Sequence, residues 1–248
     1  MDHSPAEDSA IENRLRETPR HGYQGDRAPA PAAPEIPAGL SVAISREAGA
    51  RGGSIGRRVA RKLGWGVYDQ ELLEYMAQEI AVRPNVVESP SALASQWVED
   101  RLQQLLREQN LSQHPLIQNL ARVILALGAQ GNVVLIGRGA GCILPRQSTL
   151  HVRLTSPLED RIAYMGQWLR LSHQEAAERV RLRDERRATF LSTHFHRQPG
   201  DIQQYDLVLN SSTLGEDVCA DLIARAARAR SEAFPTSPTP LRGIERRV

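Results

Sequence analysis

The chain has 248 residues, 41% of them hydrophobic and 24% charged, which is the composition of a globular protein with enough length to bury a real core. Its net charge of only +2 gives no argument for a nucleic-acid binder. Of the 31 basic residues just one is lysine, Lys62, so lysine-based chemistry would have to rest there, beside Leu63 at the end of an apparent helix where no such role is natural. If phosphate is handled by this chain, arginine handles it.

Residues 1–38 hold Pro29, Pro31, Pro34 and Pro37 with almost no apolar periodicity, and 231–248 repeat that character around Pro235, Pro238 and Pro240. Such segments bury too little surface to offset the entropy of ordering, so both are expected to be disordered arms flanking one domain over 39–230. The acidic, polar N-terminus has no signal-peptide core, and no apolar run reaches the roughly 18 residues that a membrane helix needs. Cys142 and Cys219 lie far apart without metal-ligand spacing. A reduced, soluble, cytoplasmic protein is expected, without membrane or nucleic-acid partners.

Within the domain, apolar runs alternate with helical patterns, the rhythm of a parallel sheet covered on both faces. The spacing predicts strands at Leu40–Ile44, Gly66–Tyr68, Val133–Ile136, Leu150–Leu154 and Asp206–Leu209. The stretch from Glu71 to Gln130 reads as mostly helical, with breaks near Arg83–Pro90 and at His114-Pro115. Capping boxes at Ser156/Glu159, Ser172/Glu175 and Thr213/Glu216 predict three later helix starts.

Several segments could carry chemistry. The first runs from Ile44 through Arg46, Gly49, Ala50, Arg51, Gly52, Gly53 and Ser54 to Ile55: a buried strand, a glycine-rich turn, then a helix with Ile55, Val59 and Leu63 on one face. Such a turn lets backbone N–H groups approach an anion at a helix N-terminus, with Ser54 placed to coordinate magnesium. It also reads as a tight strand-to-helix turn with an arginine pointing at water. The second, Gly137-Arg138-Gly139, puts a forked cation just beyond a strand end, where open sheets hold ligands; a flexible turn is the alternative. The third, Arg179 to Arg187, places Arg179, Arg183 and Arg186 or Arg187 on one side of a helix, as an anion-gripping set or as a solvated face eased by Asp184 and Glu185. His194 and His196 have no carboxylate or cysteine at ligand spacing and are expected in a loop. Asp69 either faces a substrate or caps the next helix.

The order of these pieces resembles the nucleoside monophosphate kinase branch of the P-loop fold, most closely the cytidylate kinase-like family, over about residues 40–229. That likeness implies a three-layer α/β fold with a five-stranded parallel sheet, a helical insertion and an arginine-rich lid. It further implies transfer of the γ-phosphoryl of ATP, with Mg2+, to a small-molecule nucleotide, CMP by family. Arg46 and the loop Gly49, Ala50, Gly52, Gly53, Ser54 and Ile55 would hold ATP, and Ser54 the metal. Asp69 and Arg138 would face the monophosphate. Arg51, Arg183, Arg186 and Arg187 would act on the transferring group. Two departures stand out. The position of the family's loop lysine is Gly52, so Arg51 or Arg46 would have to supply that charge, and the Gly-Arg-Asp motif becomes Gly137-Arg138-Gly139. These leave room for another small phosphate or hydroxyl acceptor, or for a nucleotide-sensing module without catalysis. If the arginines form one phosphate site, Arg138, Arg183 and Arg186 converge on the Gly49–Ser54 loop.

Overall fold

The computed structural model describes residues 39–82 and 92–233. All five expected strands are present, with ends shifted by at most two residues: β1 Ser41–Arg46, β2 Gly66–Tyr68, β3 Val133–Ile136, β4 Thr149–Thr155 and β5 Leu207–Asn210. They pair in parallel in the order β2-β3-β1-β4-β5. Ser41 lies opposite Val133 on one side and Thr149 on the other, so β1 is the central strand.

Side chains on a strand alternate between faces, and here both faces are buried. Val42, Ile44, Val134, Ile136, Val152 and Leu154 pack against helix α1, Gly52–Leu63, and the last helix α8, Ser211–Ala233. Ala43, Val133 and Leu135 face the other way, against α2 (Gln70–Val82), α3 (Ala92–Arg107) and α4 (Pro115–Gln130). The α/β fold with its helical insertion is therefore the expected one. Pro115 opens α4 at its first position, where its missing N–H costs nothing, which explains the break at His114-Pro115. A short α5 (Ala140–Ile143) follows β3, and α6 (Leu158–Leu169) and α7 (His173–Phe195) form a hairpin between β4 and β5. The expected break near Arg83–Pro90, the expected arm at 1–38 and residues 234–248 of the expected arm at 231–248 lie outside the described residues, while residues 231–233 of that arm are helical, because α8 continues to Ala233.

Of the three predicted capping boxes, only Ser172/Glu175 forms. There the Glu175 carboxylate accepts the Ser172 N–H at 2.9 Å, and the Ser172 hydroxyl accepts the Glu175 N–H at 3.4 Å. The others lose to tertiary partners. Ser156 hydrogen bonds Ser212 through its hydroxyl at 2.5 Å and donates its N–H to Glu47 at 3.1 Å, and Pro157 caps α6 instead. At Thr213, Asn210 is the acceptor for the first amides of α8, while Gly215 at φ 76° kinks the helix and directs Glu216 toward α1. Among the described residues, no helix is long and apolar enough to cross a membrane.

His151 on β4 packs on Tyr205 with ring centroids 4.7 Å apart, and its Nδ1 lies 2.9 Å from the Gln204 carbonyl. Burial pushes its pKa down to about 4, against the opposing pull of the Gln204 carbonyl and Asp206. The unfolded chain then binds the extra proton first, so folding stability falls as pH drops from 6.5 towards 4. Denaturant titrations at pH 7 and pH 4.5 are expected to show this loss in the wild type and a smaller one in His151→Gln.

Candidate functional site

The carboxyl ends of β1, β2 and β3, where the sheet order turns about its central strand, open onto a cleft of about 600 Å3. This is where open parallel sheets hold ligands. Gly49, Arg51, Gly52, Gly53 and Ser54 line it from the first turn of α1 and the loop before it, Asp69 from the end of β2, and Arg138 from the end of β3. Arg183, Arg186 and Arg187 reach it from α7. Arginines from three separate segments thus meet the glycine loop in one cavity, whereas Arg179 lies exposed and outside its lining.

Two loop residues are not in this cleft. Ala50 and Ile55 are fully buried in the core. Their N–H groups are already spent on the Glu47 and Arg51 carbonyls at 3.3 and 3.0 Å. The expected ligand contact at these two positions is corrected accordingly: each faces the sheet side of the turn. His194 lies in the last turn of α7, not in a loop, and His196 follows as the helix C-cap in a bend. The His194 ring stands on Phe190 with centroids 5.0 Å apart, and no group of three metal-ligating side chains occurs among the described residues.

The first turn of α1 is built to meet an anion. Its N-cap is Arg51 in the left-handed conformation at φ 57°, with no side-chain cap and no acidic residue in the first turn. The leading amides of a helix have no intrahelical acceptor, and here Gly52, Gly53 and Ser54 present theirs at the cleft. Ser54 donates its hydroxyl to Glu216, which also accepts from Arg58 at 3.2 Å. Arg138 is likewise left-handed, at φ 53°, between Gly137 and Gly139. A side-chain-bearing residue held there points to a functional constraint.

Arg46 leaves the end of β1 and crosses over Gly52. A Cβ added at Gly52 would stand 2.7 Å from the Arg46 Cγ, and one added at Gly137 would overlap its guanidinium. Its guanidinium has no hydrogen-bond partner among the described residues. Burial, then the neighbouring Arg187 and Arg138, push its pKa down to about 9 against the pull of Glu71 and Asp69. Arg187 and Arg138 are lowered too, chiefly by burial. Arg138 pairs with Glu74 and covers the Phe190 ring at 4.8 Å. Seven arginines and three carboxylates line the cleft, an excess of positive charge that an anion would relieve. Arg51 is engaged elsewhere, 5.0 Å above the Tyr164 ring, and Arg57 is exposed at the lip. Asp69 accepts the Leu72 N–H at 3.2 Å, so it caps α2 while also facing the cleft.

Comparison with protein families matches residues 41–213 to the cytidylate kinase-like family. The chain belongs to that family. A cytidylate kinase from Ignicoccus hospitalis is 25% identical over 120 residues, covering 48% of this chain and 70% of that protein. A uronate isomerase from Corynebacterium glutamicum is 31% identical over 102 residues, but the match spans 41% of this chain and 20% of the isomerase. Among solved structures, an uncharacterized protein from Eubacterium ventriosum shares the fold at a TM-score of 0.54 with 16% identity, over 77% of this chain and 99% of its own.

In this cytidylate kinase-like chain the α6–α7 hairpin is tied to the loop by Asp184, expected on a solvated face, and by Glu47, for which the sequence predicted no role. Asp184 accepts the Ala48 N–H at 2.7 Å and Arg161 at 2.6 Å, and Glu47 takes Arg153 and Arg161 at 3.5 Å. The sequence carries one sign of this: Asp184 sits one turn from Val180, which packs on Ala48, and so lies on the inward side of α7. Glu185, by contrast, pairs with Arg181 in solvent. Asp184→Asn weakens the acceptor for a buried arginine and is expected to cost about 1.5–3 kcal/mol, the worth of a hydrogen bond to a charged group. Urea unfolding measures that loss, and faster amide exchange along α6 and α7 locates it.

Proposed function

We propose that this protein is a phosphotransferase that moves the γ-phosphoryl group of ATP, with magnesium, onto a nucleoside monophosphate, CMP by family likeness. The observation that carries the reading is the unpartnered Arg46 guanidinium, lying over Gly52 beside the uncapped first turn of α1. It supplies, from β1, the charge that a lysine at position 52 would bring.

Phosphoryl transfer asks a protein mainly for alignment and charge neutralisation. The amides of Gly52, Gly53 and Ser54, with Arg46, hold the donor phosphates. Asp69 and Arg138 orient the acceptor, and Arg183, Arg186 and Arg187 neutralise the transferring group as the hairpin covers it. The site's donors near Ser54 are hydroxyl and carboxylate oxygens, which suit a hard cation whose remaining ligands are phosphate and water. Ser54, which lines the cleft, would hold magnesium through its hydroxyl, and the ion would help neutralise the phosphate charge. The reduced cysteines and small-molecule substrate fit a cytoplasmic enzyme.

A second reading changes the acceptor. A side chain at position 139 would overlap the Phe195 ring, so no carboxylate can stand where the family's motif has one. This favours an acceptor that needs no such contact, either another nucleotide or a small phosphate or hydroxyl compound.

A coupled assay for ADP formation with ATP, magnesium and a panel of acceptors tests both. Turnover is expected with a nucleoside monophosphate, CMP first, and Arg46→Ala is expected to lower kcat/KM by about 10²–10³-fold, as loss of a preorganised charge donor does. Arg51→Ala should cost less, because its guanidinium already rests on Tyr164. No turnover with any nucleoside monophosphate would sink the first reading, and ATP binding without turnover on any acceptor would make the protein a sensor.

A further inference from the structure

The chain is poor in aromatic residues, 4% of the total, yet two of them form a wall of the cleft. Tyr164 and Trp168 stand one turn apart on α6 with nearly parallel rings, 17° between planes and centroids 6.5 Å apart. Trp168 is 61% exposed, whereas Trp97 is 8% exposed in the core. Between the two ring-bearing positions, Met165 is buried in a small cluster with Ala48, Ile162, Ala176 and Val180. That cluster fixes the direction in which the α6 rings face. An indole left this open in a ligand cleft forgoes a large apolar contact unless something planar covers it.

Resting on the phosphotransferase reading above, we infer that the Tyr164–Trp168 face is the stacking platform for the base of a bound nucleotide. The wall and the anion site share a residue: Arg51 is the N-cap of α1 and also lies over Tyr164 at 5.0 Å. A ligand with phosphates on the first turn of α1 and a planar ring attached reaches this wall from the same end of the cleft. Arginines already cover the other two aromatic rings of the cleft, Arg138 over Phe190 at 4.8 Å and Arg51 over one face of Tyr164 at 5.0 Å. Trp168 therefore offers the open aromatic surface. Stacking on it tolerates any base, because every base has a π-face, so affinity for the ring comes here without choosing its identity.

The test compares the full-length wild type with Trp168→Ala and Trp168→Phe. It measures binding of a nonhydrolysable ATP analogue, CMP and inorganic tripolyphosphate by calorimetry. Trp168 lies on the surface, and unchanged thermal unfolding checks that both variants fold. Trp168→Ala is expected to weaken at least one nucleotide about tenfold or more and to leave tripolyphosphate within about twofold, with Trp168→Phe restoring most of the affinity. A loss confined to the ATP analogue places the donor base on the wall, and a loss confined to CMP places the acceptor base there. Unchanged binding of both nucleotides to Trp168→Ala would overturn the inference while leaving the phosphate site standing. Equal losses for nucleotide and tripolyphosphate would also overturn it, making the wall a closing surface. A wild type that binds none of the three ligands would remove the phosphotransferase reading and this inference together.

Discussion

Arg46 and a side chain at position 52 cannot occupy the same space, and the cleft is organised around that exclusion. The Arg46 stem lies 2.7–2.8 Å from where a Cβ at Gly52 would be, and its guanidinium runs on past Gly137. Glycine at both positions is what lets one arginine cross from the end of β1 to the middle of the cleft. With the charge carried on β1, the first turn of α1 keeps no side-chain cap and no acidic residue, so its leading amides stay free of side-chain partners.

Holding that charge without a partner costs stability. Burial and the nearby Arg187 and Arg138 all work against the charged form of Arg46, and the only help comes from Glu71 and Asp69 at longer range. Such an arrangement persists because the rest of the fold over-determines it, and a bound anion would make it favourable. The next residue, Glu47, contributes in the opposite sense. Its carboxylate gathers Arg153, Arg161 and the Ser156 N–H, so two adjacent residues at the end of one strand divide the work between the site and its support.

The central strands β1 and β3 were readable from the sequence because they are buried on both faces and so appear as apolar runs, whereas β4 alternates buried with half-buried residues and the edge strands β2 and β5 are only partly buried. The loops of the sheet were readable because Gly49, Gly52, Gly137 and Gly139 punctuate them. The helix starts were less so. Ser156 and Thr213 match the local pattern of a capping residue as well as Ser172 does, and only the fold supplies the competitors, Glu47, Ser212, Asn210 and Ser54, that draw the polar groups away. The same holds for the arginines. Spacing places Arg183, Arg186 and Arg187 on one helix, but it cannot say that Arg46 lies over Gly52 while Arg51 turns to Tyr164. Sequence neighbours in a turn point in unrelated directions, which is why Ala50 faces the core, while Ile55 lies inside α1 on its buried face with Val59.

The exchange of charge between strand and helix is tested most directly by a double-mutant cycle. Tripolyphosphate affinity would be measured for the wild type, Arg46→Ala, Gly52→Lys and the double variant. Arg46→Ala should lose the strand-borne charge, and Gly52→Lys should lose affinity by displacing Arg46. The double variant, in which lysine stands at position 52 with the arginine gone, should bind more tightly than either single variant, a coupling expected of residues that share one space. Losses that simply add would contradict the account, and would mean that Arg46 and position 52 act on phosphate independently or not at all.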